Sequence, residues 1–457
     1  MSVGGLLHNV LFFIIAIGVL VAFHEFGHYW VARLLKVKVL RFSIGFGKPL
    51  FLWKKQRGED LIEFVIAAIP LGGYVKMLDE REGPVDEALR HRAFNNQRIG
   101  TRFAIVAAGP IFNFILAIFF YFIFFVNGET AIKPLVAMPA VESVAAQAGF
   151  EERDEVLSVE GREVRTWQEF RIALIDQGID GGNVSVKVRT VDLHERERII
   201  AFAGRHILNE KTDVTQLLGL DYWRPVIPAR IGSIVEGSAA AAADLRASDL
   251  VLAIDQQVIA DWTALVKIVQ SSAGKPLEFL IERGGEQKTL ILTPRARNPD
   301  DKTGFMGAGA DFPEALRAQN TVTVEYSLLG ALQRGIEETW VFSSLTLKVL
   351  GKMITGQAAL ENISGPITIA QYAGVTASIG FLTYIKFLAM ISISLGVLNL
   401  LPVPMLDGGH LLYYIVEFVK GSPVSQKFEE MGQMLGMALL FMLMSLAIFN
   451  DIQRLIN

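Results

Sequence analysis

"VLFFIIAIGVLVAFHEFGHYWVARLL", residues 10–35, sets three ionisable side chains, His24, Glu25 and His28, in the second half of an apolar run. A helix crosses a hydrocarbon core with about 20 predominantly apolar residues. An ionisable group placed within it costs several kcal/mol unless it is partnered, so such residues mark function. No Lys or Arg precedes Arg33 and no small-residue cleavage site follows the run. It therefore reads as a retained span and not as a cleaved signal peptide.

Composition points the same way. The 457 residues are 51% hydrophobic with a mean hydropathy of +0.38, beyond what one soluble domain carries. A formal charge of −4 leaves no nucleic-acid footprint. Cysteine is absent, which excludes disulfides and thiolate zinc sites and leaves the redox compartment open. Any metal must be held by His, Asp or Glu.

Three more stretches have spanning length: Phe103–Val126, broken mainly by Asn113; Ile379–Leu401, with one internal Lys386; and Gln433–Phe449. Residues 33–102 carry 14 Lys and Arg, against none before Phe23 and one, Arg454, after the last span. The positive-inside rule puts 33–102 in the cytoplasm and both termini and the long 127–378 segment outside. The fold class expected is a polytopic α-helical membrane protein with four transmembrane helices, a membrane-associated β-sheet and two tandem α+β domains outside.

The chain divides accordingly. Residues 1–36 form the first span and 37–78 a β region, with turns expected at Gly45–Pro49, Arg57–Asp60 and Pro70–Gly73. Residues 79–102 form a charged cytoplasmic loop, and 103–126 the second span. In the outside segment "AGFEERDEVLSVEGREVRTW" (148–167) aligns with "ADLRASDLVLAIDQQVIADW" (243–262), an internal repeat at an offset of 95 residues. That period is domain-sized, too long for a solenoid, and gives two modules, 127–222 and 223–311. Both resemble PDZ domains, which bind extended peptides by strand addition. Residues 312–378 hold a linker and an amphipathic helix, 326–354, with Leu329, Leu332, Ile336 and Trp340 on one stripe and Glu337, Glu338 and Lys348 on other faces. This helix is expected to lie on the membrane. Residues 379–410 form the third span and its exit, 411–432 a cytoplasmic loop, and 433–457 the fourth span and tail.

His24-Glu25-Phe26-Gly27-His28 is an HExxH motif. Positions i and i+4 share a helix face, so both imidazoles can reach one Zn²⁺. The Glu beside the first His is placed to deprotonate a water that the metal acidifies. A catalytic zinc needs a third protein ligand and one open position, yet positions 29–40 offer no His, Asp or Glu. The best source is "NLLPVPMLDGGH", 399–410, where Pro402 and Pro404 stop the third span and Asp407 stands beside a Gly-Gly turn. His410 is a rival ligand, and Asp407 could be an ordinary turn residue. The orientation of the spans agrees with Asp407. The first and third spans both run outward to inward, so His24, His28 and Asp407 reach the same side only if 326–354 does not cross.

HEFGH in the first span, Gly109, Pro110 and Asn113 in the second, the tandem modules, "SGPITIA" (364–370) and the NxxPxPxLDG pattern from Asn399 together resemble the site-2 protease family of intramembrane zinc proteases. That resemblance implies His24, His28 and Asp407 as zinc ligands, Glu25 as general base, and Asn399 as a substrate-binding residue. It implies single-span transmembrane substrates, among them an anti-sigma factor and remnant signal peptides, in envelope stress signalling at the bacterial inner membrane. Both termini and the PDZ-like modules would be periplasmic, the latter meeting peptide termini or a periplasmic protein, and membrane lipid would surround the spans. Two other readings compete: a catalytically silent PDZ membrane scaffold, and a metal transporter, which would need a polar path through the other spans.

Overall fold

In the computed structural model the first helix, α1 (Val3–Leu34), carries the opening stretch without a break. The structure describes residues 3–57, 60–179, 181–202, 213–296, 303–357 and 364–456. The described residues form two units, one from 3–129, 213 and 324 onward, the other from 130–202 and 214–323.

Within the first unit, α1 leads into strands β1 (Val39–Arg57) and β2 (Asp60–Met77), followed by helix α2 (Ile99–Val126). After the second unit come α3 (Leu328–Ile354), α4 (Pro366–Ile379), α5 (Phe381–Leu400), α6 (Asp407–Lys420) and α7 (Gln426–Ile456). Four helices, α1, α2, α5 and α7, are long and apolar enough to cross a membrane. Each of α1, α2 and α7 runs past the apolar limits read from sequence, because hydropathy marks the part that lipid tolerates while backbone hydrogen bonding continues the helix. The shared core of α1, α2 and α5 holds Leu20, Leu116, Tyr121, Phe125, Leu388 and Ile393.

The β region is two long strands that fold back on themselves. Ile44 pairs with both Gly73 and Ile66, while Trp53 pairs with Phe64. The reversals use Gly45, Gly47 and Gly72 at φ of 89°, 88° and 101°, backbone that β-branched or bulky residues avoid. The expected turns at Gly45–Pro49 and Pro70–Gly73 fall at these reversals; Gly58 and Glu59, in the third expected turn, lie outside the described residues. Leu50, Phe51 and Trp53 are exposed on this sheet.

Lone polar residues in the spans find partners. Lys386 Nζ lies 2.6 Å from Glu129 Oε1 and 4.6 Å from the centre of the Phe124 ring. Asp451 on α7 accepts hydrogen bonds from the backbone N–H groups of Gly365, Ile367 and Thr368 at 2.8–3.1 Å. It thus caps α4 from another helix, which accounts for the "SGPITIA" stretch.

Helix α3 falls on the expected 326–354 stretch and is amphipathic. Leu329, Ile336 and Trp340 are exposed, whereas Ala331, Glu338 and Thr339 are buried. A Cβ at Gly335 would sit 3.2 Å from the carbonyl of Ile118 on α2, so the small face packs on α2. Glu338 pairs with Arg334 there. Small residues allow this close helix packing, and the apolar stripe stays exposed.

The second unit contains two modules with the same order of elements. A short helix (Val144–Gln147; Ala239–Ala242) precedes a strand (Glu155–Val159; Leu250–Ile254) and a two-residue strand (Arg162–Glu163; Gln257–Val258). A longer helix (Trp167–Gly178; Trp262–Gln270) and two strands (Asn183–Arg189 and Glu195–Ala201; Leu277–Arg283 and Glu286–Leu292) complete each. Both four-stranded sheets have the same order, with the first long strand between the two-residue strand and the third. The repeated Asp154 and Asp249 are both buried. Asp154 pairs with Arg198 at 3.0 Å and Asp249 with Arg283 at 2.7 Å. Thr166 and Asp261 cap the helices that begin at the repeated tryptophans.

Candidate metal centre

Four residues apart on α1, His24 and His28 point the same way, with their Nε2 atoms 3.2 Å apart. Helix α2 lies close enough that a Cβ at Gly27 would be 2.5 Å from the carbonyl oxygen of Ala108. The glycine inside the HExxH motif is therefore what admits α2. A Cβ at Gly109 would fall 2.3 Å from His28 Nε2 and 2.7 Å from His24 Cε1. Gly109 keeps open the space in front of both imidazoles.

Asp407 arrives from the far end of the chain. Helix α5 stops at Leu400 and the chain crosses to α6, which begins at Asp407. Where a Gly-Gly turn was expected, Gly408 and Gly409 form the first turn of α6. A Cβ on Gly408 would lie 2.1 Å from the Leu401 carbonyl oxygen, and one on Gly409 2.5 Å from that of Val403. The glycines let the helix start directly beneath the loop that precedes it. Arg102 of α2 anchors α6 through Glu417 at 2.6 Å and stacks on Tyr414, 5.0 Å from its ring centre.

These constraints place Asp407 Oδ2 3.1 Å from His24 Nε2 and 3.5 Å from His28 Nε2. Asp407 Oδ2 is buried and accepts no hydrogen bond among the described residues. A tetrahedral zinc with arms of roughly 2.0–2.1 Å needs donor atoms about 3.3 Å apart. Sides of 3.1, 3.2 and 3.5 Å meet that requirement without rearrangement. Two neutral imidazoles and one carboxylate are a donor set that suits zinc. His24, His28 and Asp407 form the one group of possible metal ligands found among the described residues. His410, the rival, lies outside it, exposed and packed against Tyr413 at a ring separation of 6.3 Å.

Glu25 is buried beside this group. A Cβ at Gly73 of β2 would come within 2.8 Å of Glu25 Cγ, so the carboxylate rests against the β region. Asn399 sits half-buried in the last turn of α5; among the described residues, none of the hydrogen bonds around the cluster involves it.

The outer nitrogens of the imidazoles face α2. His28 Nδ1 donates to the Ile105 carbonyl at 2.8 Å. The following turn holds Pro110, which has no N–H to offer the Val106 carbonyl. His24 Nδ1 meets the carboxamide of Asn113 at 3.1 Å. Sequence reasoning noted Gly109 and Asn113 without assigning either a task. The usable signal was the spacing: a glycine and an asparagine four apart in an apolar span occupy one face.

Comparison with known proteins gives the family. The model of peptidase family M50 matches residues 12–443. The regulator of sigma-E protease RseP of Escherichia coli is 42% identical over 448 residues, covering 97% of this chain and 98% of that protein. The RseP of Salmonella typhimurium is 41% identical over 452 residues, covering 98% and 99%. A Neisseria meningitidis protein named as a zinc metalloprotease is 40% identical over 453 residues, covering 99% and 100%. Taken with four helices of spanning length, these matches identify the chain as a member of peptidase family M50, the site-2 proteases, and as a zinc metalloprotease of the membrane.

Proposed function

We propose that His24, His28 and Asp407 hold the zinc and that Glu25 is the general base of an endopeptidase that cuts transmembrane segments of single-span proteins. The observation that carries this reading is the triangle of donor atoms, with Glu25 beside it, on a helix of spanning length. When bound, zinc supplies Lewis-acid polarisation of the scissile carbonyl and of the attacking water. Glu25 takes a proton from that water and returns it to the nitrogen of the departing amine. As oxygen bonds to the carbonyl carbon the C–N bond breaks, which leaves an acid and an amine.

A helical substrate hides its peptide bonds, and an unwound segment needs backbone partners inside a membrane. Among the described residues, 73–77 pair on one side only, with 39–44, and Gly73 adjoins Glu25. Strand addition at this edge, helped by Asn399, would present an extended segment to the base. The exposed Leu50, Phe51 and Trp53 suit a sheet that dips into lipid.

The excess of Lys and Arg in 33–102 supports a cytoplasmic site, with both termini and the second unit periplasmic, in a bacterial inner membrane. The paired modules are read as PDZ-like domains that contact peptide termini or a periplasmic protein and admit substrates already trimmed outside. The E. coli relative is named as a regulator of sigma-E protease, which favours an anti-sigma factor as substrate, with remnant signal peptides as a second class. Glu25→Gln tests the core of this reading: the purified variant should keep its zinc and fail to cut a reconstituted transmembrane helix. Turnover equal to the wild type would overturn it.

A further inference from the structure

The carboxamide of Asn113 is fully buried, its Nδ2 lies 3.1 Å from His24 Nδ1, and its Oδ1 has no hydrogen-bond partner among the described residues. The backbone at this point is pinned, since Ser392 of α5 donates to the Asn113 carbonyl at 2.8 Å. A buried acceptor without a donor is costly, so this residue holds a geometry that something else must complete.

The ligand triangle supplies the missing condition. His24 Nε2 faces Asp407 and His28 Nε2, so a neutral His24 that offers Nε2 to a metal carries its proton on Nδ1. That nitrogen is then a donor, and it needs an acceptor from its neighbour. His28 already obeys this rule, because its Nδ1 donates to the Ile105 carbonyl. The two ends of a carboxamide are nearly the same in size and shape, and the surrounding network decides which way it turns. Half a turn about the Cβ–Cγ bond sets Oδ1 against His24 Nδ1 in the space Nδ2 occupies.

We infer that Asn113 is a positioning residue for His24: it accepts the Nδ1 proton, selects the tautomer that leaves Nε2 free for zinc, and fixes the plane of the ring. Helix α2 thereby does the same service for both histidines, through a main-chain carbonyl for His28 and a side-chain carbonyl for His24. Outer hydrogen bonds of this kind raise ligand basicity, and their loss typically weakens metal binding about 10–100-fold. The inference rests on His24 being a ligand.

The test compares full-length Asn113→Asp and Asn113→Leu, with His24→Ala as the reference, each in detergent and each titrated with zinc against a competing chelator. Ionised Asp can only accept from Nδ1, and Leu can neither accept nor donate. The expectation is that Asn113→Leu weakens zinc binding about 10–100-fold and alters the visible spectrum of the cobalt-substituted protein, while Asn113→Asp stays near the wild type. Wild-type affinity in the Leu variant, or an Asp variant as weak as Leu, overturns the inference. If His24→Ala also keeps tight zinc, the ligand assignment itself fails; if only the Asn113 variants keep it, the ligand assignment stands and this inference falls. Histidine ¹⁵N spectra of the metal-free wild type at alkaline pH require no variant to fold. A protonated His24 Nδ1 supports the assignment, and a protonated Nε2 with bare Nδ1 overturns it.

Discussion

His24 Nε2 and Asp407 Oδ2 lie 3.1 Å apart, although they belong to helices at opposite ends of the chain. The pair ties α1 to α6, so the metal group also joins the two ends of the first unit.

Asp407→Asn keeps the side chain's shape and removes its charge. Zinc affinity should fall by more than about 100-fold, beyond the loss of an outer hydrogen bond alone. Zinc content after dialysis against a weak chelator measures this; full retention would remove Asp407 from the ligand set.

Gly109→Ala separates packing from fold. Alanine favours a helix interior over glycine by about 0.8–1.0 kcal/mol, so α2 should form at least as well. Its methyl would lie 2.3 Å from His28 Nε2, and metal binding should weaken at least about tenfold by displacing the ring. Circular dichroism and zinc titration on one sample distinguish the two effects.

Lys386 and Glu129 should behave as a unit. Removing Glu129 alone strands a cation beside the Phe124 ring and should cost about 1–3 kcal/mol, a figure reduced because the pair is only partly buried. Changing both residues, Lys386→Met with Glu129→Ala, should cost less than Glu129→Ala alone. Detergent-solubilised melting curves of Glu129→Ala, Lys386→Met and the double variant decide the matter, and strictly additive losses would refute the coupling.

The second module should be acid-labile through Asp249. Burial alone would raise this carboxyl, but the Arg283 guanidinium and the Arg246 backbone N–H outweigh it and hold the group below the ordinary carboxylate value. A lowered folded-state value stabilises the module above the unfolded value of roughly 3.9. That contribution is lost as pH falls from there through the lower folded value. Hydrogen exchange across 250–283 in the full-length chain should accelerate in that window, and Asp249→Asn should show fast exchange already at neutral pH.

Much of the molecule was legible in the residues. Four apolar runs marked the spans because lipid imposes length and composition on every crossing segment. HExxH offered two candidate ligands and a candidate base because a helix brings i and i+4 together. The 148–167 and 243–262 repeat announced paired modules, and the structure gives both the same strand order. These are local facts, carried by periodicity and spacing.

Tertiary structure decided what no local pattern holds. Nothing near Asp407 in the chain distinguishes a ligand from a turn residue; the close approach of Gly408 and Gly409 to the preceding loop, with the Arg102–Glu417 anchor, sets it against α1. The packing of α3 on α2 is set by Gly335, which admits the Ile118 carbonyl, a contact that hydropathy does not encode. "HEFGH" states which side chains can bind a metal, while Ile105, Gly109 and Asn113 on α2 decide whether those imidazoles are free to turn toward it. Ligand identity is chemistry written in sequence, but ligand geometry is an agreement among helices that meet only once the chain has folded.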